Sequence, residues 1–325
     1  MPSRRELLAL IVLGAVPAFG QRNDKVWRIG YLAAGIRTPD GAPPEALRRA
    51  LRGMGYVEGV NTVYEARFAE GDPGKLPAMV ADLVRLKVDL IAVVGGPAAM
   101  AAKRATATLP IVIAFPSGDA VASGLIVSLA HPGGNVTGLT DESEQLNAKR
   151  MELLKEVLPN AARIGVVWNA NDEGMTLRYR EIEKAARLFR IEVQPLALRE
   201  LRDFDAVFSS MARQRPDAIF VVSDSLTLIH RKSIIDHAMA QRIPTMYEGS
   251  RFVGEGGLMS YGPGAEESYG SAAVYIHRIL SGMKPADLPA AQPMHYYLSI
   301  NRKSADTLGV TFPQSVLLRA DDVRE

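Results

Sequence analysis

The chain alternates between short runs that are apolar throughout and longer stretches whose apolar residues return every three or four positions. VWRIGYLAA (26–34) is a run of the first kind and predicts a strand buried on both faces. PEALRRALRGMGY (44–56) is of the second kind: Leu47, Ala50, Leu51 and Met54 share one helical face, and Gly55 ends it. NTVYEARFA then alternates as a strand, LPAMVADLVRLKV reads as a helix, and DLIAVVGG (89–96) is a second buried strand. Pro97 opens the helix PAAMAAKRATA, and LPIVIAF (109–115) is the strand that follows. Strands that alternate with helices and are apolar throughout imply a parallel sheet covered on both faces.

The same order returns after residue 160. ARIGVVWNA (162–170) echoes WRIGYLAAG, a helix around Tyr179 to Phe189 follows, and IEVQPLAL is the next strand. PDAIFVVSD (216–224) echoes VDLIAVVGG, and IPTMYEG (243–249) echoes LPIVIAF. One α/β architecture used twice, or two adjacent doubly wound units, accounts for this; either supplies two Rossmann-like lobes with parallel sheets. The remaining elements are GGLMSYGP (256–263), the helix SYGSAAVYIHRIL (268–280), the linker SGMKPADLPAAQP, the strand MHYYLSIN (294–301) and a short helix in KSADTLGV. If the helix packs on the first lobe and the strand on the second, the chain crosses between lobes three times. GGLMSYGP, read alone as an edge strand, is then expected to be a hinge crossover whose glycines absorb dihedral change. The expected division is 21–138 plus 262–288 for one lobe and 139–261 plus 289–325 for the other, with Gly138, Tyr261, Gly262 and Pro289 at the joints.

The 325 residues suffice for two such lobes, since single cores stop growing at roughly 250–300 residues. Lys plus Arg exceeds Asp plus Glu by only two, 38 against 36, so no electrostatic field favours nucleic acid. Residues 1–20 have another character: Arg4 and Arg5 precede an apolar run from Leu7 to Val16, and Ala18-Phe19-Gly20 offers small residues at a cleavage spacing. This is the layout of a signal peptide, with a loose likeness to a twin-arginine signal, and export to the periplasm as a soluble protein is expected. Cysteine is absent, which removes thiol catalysis, disulfides and a lipid-anchored cysteine together.

Nucleotide-binding and hydrolase signatures (GxxxxGK[ST], strand-linked GxGxxG, GxSxG) do not occur, and the five histidines are scattered, so no catalytic set, cofactor or metal is expected. Polar residues instead collect at the carboxyl ends of the strands, where open α/β sheets bind ligands. In the first half these are Ala34, Gly96, Pro97, Ser117, Gly118 and Asp119; in the second, Asn169, Ser223, Asp224, Tyr247, Glu248 and, further on, Tyr261. Ser, Asp and Asn there also serve as helix N-caps, and the two tyrosines also suit a core. Helix N-termini at Pro97, Ser117 and Asp224 suit a carboxylate, while Asp119, Asp224 and Glu248 suit an ammonium. A small zwitterion such as an amino acid matches both.

RIGYL, GMGYVEGVN (53–61), LVRLKVDLIAVVGGPAAMAAKRATATLPIVIA, SLAHPGGNVTGLT, KRMELLKEVLP, GGLMSYGP and KPADLPAAQP, in order over nearly all of the mature chain, resemble the ABC transporter substrate-binding proteins of the tryptophan/tyrosine-type branch. The resemblance implies the type I periplasmic-binding fold, a cleft that closes on a small-molecule ligand, and delivery of that ligand to an ABC permease in the inner membrane; a monomer is expected. It carries over Asp119, Asn169 and Asp224 as cleft residues. Three departures fall at that cleft: Ala120 where relatives have proline after Gly-Asp, Ala170 where they have proline after Trp-Asn, and Ser223 and Ser225 flanking Asp224. Two other functions remain open on the residues: a ligand sensor for a membrane receptor, and an enzyme using cleft carboxylates.

Overall fold

The computed structural model describes residues 25–325 apart from Ser117, Glu142 and Leu201, so the expected leader lies outside the described residues. The first lobe is built from β1 (Trp27–Ala33), α1 (Glu45–Gly53), β2 (Thr62–Phe68), α2 (Leu76–Arg85), β3 (Leu90–Val94), α3 (Gly96–Ala105), β4 (Ile111–Phe115) and β5 (Val136–Gly138). Its five strands stand in the order β2-β1-β3-β4-β5, all parallel. Both faces of β1, β3 and β4 are covered, which is why those strands read as unbroken apolar runs.

The second lobe follows with α4 (Ser143–Val157), β6 (Arg163–Asn169), α5 (Glu173–Leu188), β7 (Glu192–Leu198), α6 (Asp203–Arg213), β8 (Ala218–Val221), α7 (Ser225–Ile229), α8 (Arg231–Ala240), β9 (Thr245–Tyr247), α9 (Ser250–Gly254) and β10 (Met259–Pro263). The chain then returns to the first lobe as α10 (Ala265–Leu280), whose Ala272, Ala273 and Ile276 share a core with Ile29, Leu47 and Leu90. It recrosses to finish as β11 (Tyr296–Asn301), α11 (Arg302–Leu308), α12 (Gln314–Arg319) and β12 (Asp322–Arg324). The second sheet has seven strands in the order β12-β11-β10-β9-β8-β6-β7.

That sheet is mixed, where the alternation of strands and helices predicts parallel strands only: β10 and β11 are antiparallel, with Pro263 opposite Tyr296. The cause is the route of the chain. β10 leaves for the first lobe at its carboxyl end and β11 re-enters beside that same end, so it must run the other way.

GGLMSYGP also departs from expectation. It is an interior strand of the second sheet, paired on both sides by β9 and β11, and is neither an edge nor itself the crossing. Leu258 and Met259 are fully buried in the second core with Phe220 and Val166, and Tyr261 packs against the same cluster. The crossing follows at Gly264, between β10 and α10. Gly262 is required for close approach rather than for a changing dihedral: a Cβ there would stand 1.8 Å from the carbonyl oxygen of Glu248.

The first and third crossings run side by side. Gly138 ends β5 at φ +122 and accepts from the Ala291 N–H, and the Thr140 N–H donates to the Ala291 carbonyl. The Pro289 carbonyl accepts from the Tyr275 hydroxyl at 2.6 Å, which holds Pro289 to the first lobe just ahead of the third crossing.

Candidate functional site

A cavity of about 700 Å³ lies between the lobes, within the range of about 300–1,000 Å³ usual for small-molecule sites. On the first-lobe side, β3 turns at Gly95, φ +96, straight into α3, which starts with no side-chain cap and with Gly96 and Pro97 on the cavity wall. Beside them runs the turn Gly118-Asp119, where Asp119 Oδ1 accepts from the N–H groups of Val121 at 2.8 Å and Ala122 at 2.9 Å. The second-lobe wall is the start of α5: Asn171, Asp172, Gly174, Leu177 and Arg178. Asp172 caps that helix, accepting from Gly174 N–H at 2.9 Å. Burial, and then the neighbouring Asp224, push its carboxyl above the usual aspartate range.

Of the residues singled out in the sequence, Gly96, Pro97, Gly118 and Asp119 therefore meet at this cavity. Ser117 lies outside the described residues. The others take structural positions around it. Ala34 is buried beneath the Gly95 turn. Asn169 Nδ2 donates to Asp224 Oδ2 at 2.6 Å. Asp224 is the N-cap of α7, accepting from Thr227 N–H at 2.9 Å while the Thr227 hydroxyl accepts from the Asp224 N–H. Burial raises its carboxyl above the usual range, against the hydrogen bonds that lower it. Tyr247 is fully buried, its ring stacked on Phe252 at 4.4 Å between centroids, and Tyr261 sits against Tyr296 at 6.0 Å. The cap makes a stability prediction: Asp224→Ala is expected to cost about 1 kcal/mol and Asp224→Asn less, since asparagine keeps a capping oxygen. Thermal unfolding of the two variants checks this; equal losses would contradict it.

Glu248, expected to face an ammonium, is only 4 % exposed and is engaged by two guanidinium groups. Oε1 accepts from Arg150 Nη1 at 2.9 Å, and Oε2 accepts from Arg178 Nη1 at 2.8 Å and from the Ser223 N–H at 2.9 Å. Arg178 Nη2 reaches Asp141 Oδ2 at 2.5 Å, and Arg150 Nε donates to the Tyr261 carbonyl at 2.8 Å. Burial alone would raise the Glu248 carboxyl, but Arg178 and Arg150 outweigh it and hold it below the usual range. The four charges balance, two positive and two negative. Together they tie the first crossing at Asp141 and the middle of β10 at Tyr261 to the wall of the cavity at Arg178. Asp141 also faces the first lobe, where its N–H donates to the Gly118 carbonyl at 3.3 Å.

Arg178, Arg150 and Asp141 were not among the residues read from sequence. A signal was present: Arg178 falls in the buried stripe of α5 with Met175, Ile182 and Ala185, where the periodicity calls for an apolar residue. A charge in such a stripe needs a buried partner.

On the opposite edge of the cleft the lobes touch. A Cβ on Gly35 would stand 3.9 Å from Ser225 Oγ, and one on Gly71 would stand 2.5 Å from the end of Ile229. Two α/β lobes, three crossings and a cavity between them define a two-lobed solute receptor. The model of the ABC transporter substrate binding protein family matches residues 44–324, and the chain belongs to that family. Such a protein is exported, captures a small organic ligand between its lobes for delivery to an ABC importer, and is not an enzyme.

Among relatives, a tyrosine-binding protein of Clostridioides difficile (strain R20291) is 27% identical over 276 residues, 85% of this chain and 77% of that protein. The structure of an ABC domain in complex with L-Trp from Streptococcus pneumonia shares 27% identity and superposes with a TM-score of 0.83 over 91% of this chain and 99% of that one. The ligand-free, open structure of a substrate binding protein with adhesive properties from Clostridium difficile, 25% identical, gives a TM-score of 0.66 over 92% of this chain and 99% of that one.

Proposed function

We propose that the cargo is an amino acid or a closely related carboxylate, seated between the start of α3 and the start of α5. The observation that carries this reading is what lines the cavity where α3 and α5 begin. The uncapped first turn of α3 at Gly96 and Pro97 faces the acid-bearing turns at Asp119 and Asp172. The first N–H groups of a helix lack intrahelical partners and carry a partial positive charge, which suits a carboxylate. Asp172, costly to ionise where it is, gains a partner when an ammonium arrives. Tryptophan and tyrosine, named for two of the relatives, are the first ligands to try.

In this reading the protein acts as a monomer alongside an inner-membrane permease. Motion is confined to the three crossings, and the ligand draws the lobes together because it contacts both walls only when they are closed. Calorimetric titration tests the head group. L-Tryptophan is expected to bind at least about tenfold more tightly than tryptamine, which lacks the carboxylate, and than indole-3-propionate, which lacks the amine. Equal affinity for all three would contradict the assignment.

A further inference from the structure

Resting on the reading of the cavity as the cargo site, we infer that Thr140 and Asp141 are positioning residues for the ligand, fastening the first-lobe wall of the cavity to the second-lobe wall. The part that needs fastening is the turn Gly118-Asp119. Between β4 and β5, from residue 116 to 135, the described residues form neither helix nor strand, yet Gly118, Asp119, Ala120 and Leu125 all line the cavity. Gly118 itself has φ +117, a conformation that favours glycine. With no sheet or helix to pair the backbone of this turn, its polar groups must find partners elsewhere.

The first crossing supplies them. Thr140 Oγ1 accepts from the Ala120 N–H at 2.9 Å and donates to the Gly118 carbonyl at 3.2 Å. Asp141 adds a second pair of bonds: its N–H donates to the same carbonyl at 3.3 Å, and its Oδ1 accepts from the Gly118 N–H at 3.4 Å. Its other carboxylate oxygen, Oδ2, accepts from Arg178 Nη2 at 2.5 Å, on the second-lobe wall. One buried carboxylate thus holds a backbone group of one wall and a guanidinium of the other. The walls also meet directly here, since a Cβ on Gly118 would stand 3.7 Å from Arg178 Nη2. The two ends of the Asp141 bridge are unequal. The Arg178 end is a short charge-assisted bond between buried groups, whereas the Gly118 end is long, so the bridge yields at Gly118 when the lobes part. Closing on cargo remakes it, and the turn is then set where cargo meets both walls.

Hydrogen–deuterium exchange of the ligand-free protein and calorimetric titration with L-tryptophan test the inference together. Read at times when β3 stays unexchanged in every variant, exchange in residues 118–124 reports local opening of the turn and not global stability. Asp141→Ala is expected to speed that exchange, and to weaken L-tryptophan binding, by at least about tenfold each. Thr140→Val, which leaves all four buried charges in place, is expected to shift both by about threefold or more, and it decides the matter if Asp141→Ala does not fold. Exchange in 118–124 unchanged from wild type would overturn the inference. So would faster exchange with L-tryptophan affinity held within about twofold, for the turn would then be loosened at no cost to the ligand. Either result, with wild-type binding intact, leaves the head-group reading standing. If the wild type does not bind L-tryptophan, the head-group reading fails and exchange alone decides the fastening: faster exchange in the variants sustains it, and unchanged exchange overturns it.

Discussion

Replacing Glu248 by alanine is expected to lower stability by about 3–5 kcal/mol, the loss typical when one partner of a buried ion pair is removed. Two guanidinium groups would be left in the interior, Arg150 at 1 % and Arg178 at 4 % exposure, with only Asp141 to neutralise them. The Ser223 N–H would lose its acceptor as well. The thermal midpoint should fall by on the order of 10 °C, at roughly 2–4 °C per kcal/mol. Glu152→Ala is the comparison: that carboxylate pairs with Lys149 and Arg319 in solvent, and its loss should change stability by no more than about 0.5 kcal/mol. Similar losses in the two variants would show that the buried network contributes nothing beyond a surface pair.

The network also fixes a pH dependence. Because the folded Glu248 carboxyl sits below its unfolded value, its contribution is fully present above the unfolded glutamate range and is lost as pH falls through the folded value. Asp172 and Asp224, held above the usual range, act in the opposite sense, and their cost is relieved as pH falls through their folded values. Glu248→Ala should therefore flatten the acid limb of the stability profile.

The second large effect is expected at Gly262. An alanine there drives its Cβ into the Glu248 carbonyl, backbone against backbone, which no rotamer change can relieve. A loss of about 3 kcal/mol or more is expected, because the strand must shift and the Arg150 bond to the Tyr261 carbonyl shifts with it. Gly270→Ala in α10 gives the contrasting result: nothing lies within 4 Å of the added methyl, and alanine in a helix interior gains about 0.5–1 kcal/mol over glycine. Guanidinium unfolding of both variants measures the difference. A neutral Gly262→Ala would mean that β9 and β10 are not packed as described.

Much of the fold was legible because buried strands such as β1 carry an unbroken apolar run and helices such as α1 and α10 a 3.6-residue stripe, whereas α4 and α8 have almost no such stripe and were not read. The three crossings were legible because α10 and β11 follow two complete lobes and have to be placed somewhere. The antiparallel entry of β11 was not, since it depends on which end of β10 the chain leaves from. β5 and β12, three residues each, escaped as well, being too short to show a period.

In the site, the backbone features were readable: the Gly95-Gly96-Pro97 turn and the Gly118-Asp119 turn are marked by residues that only such conformations require. The polar side chains were not. Asp224 and Glu248 occupy strand ends as expected, but whether a carboxylate faces ligand, a helix N–H or an arginine from another element is decided by packing. Asp224 was captured by Thr227 three residues on, and Glu248 by Arg178 seventy residues away. Spacing along the chain carries no record of that second contact.

The central claim is that cargo is held between α3 and α5. The most direct test is a crystal structure of the protein soaked with L-tryptophan. Ligand density is expected in the cavity, with the carboxylate at the Gly96 N–H and the ammonium toward Asp172. Density at the opposite edge of the cleft, between Gly35 and Ser225, or outside the lobes altogether, would contradict it.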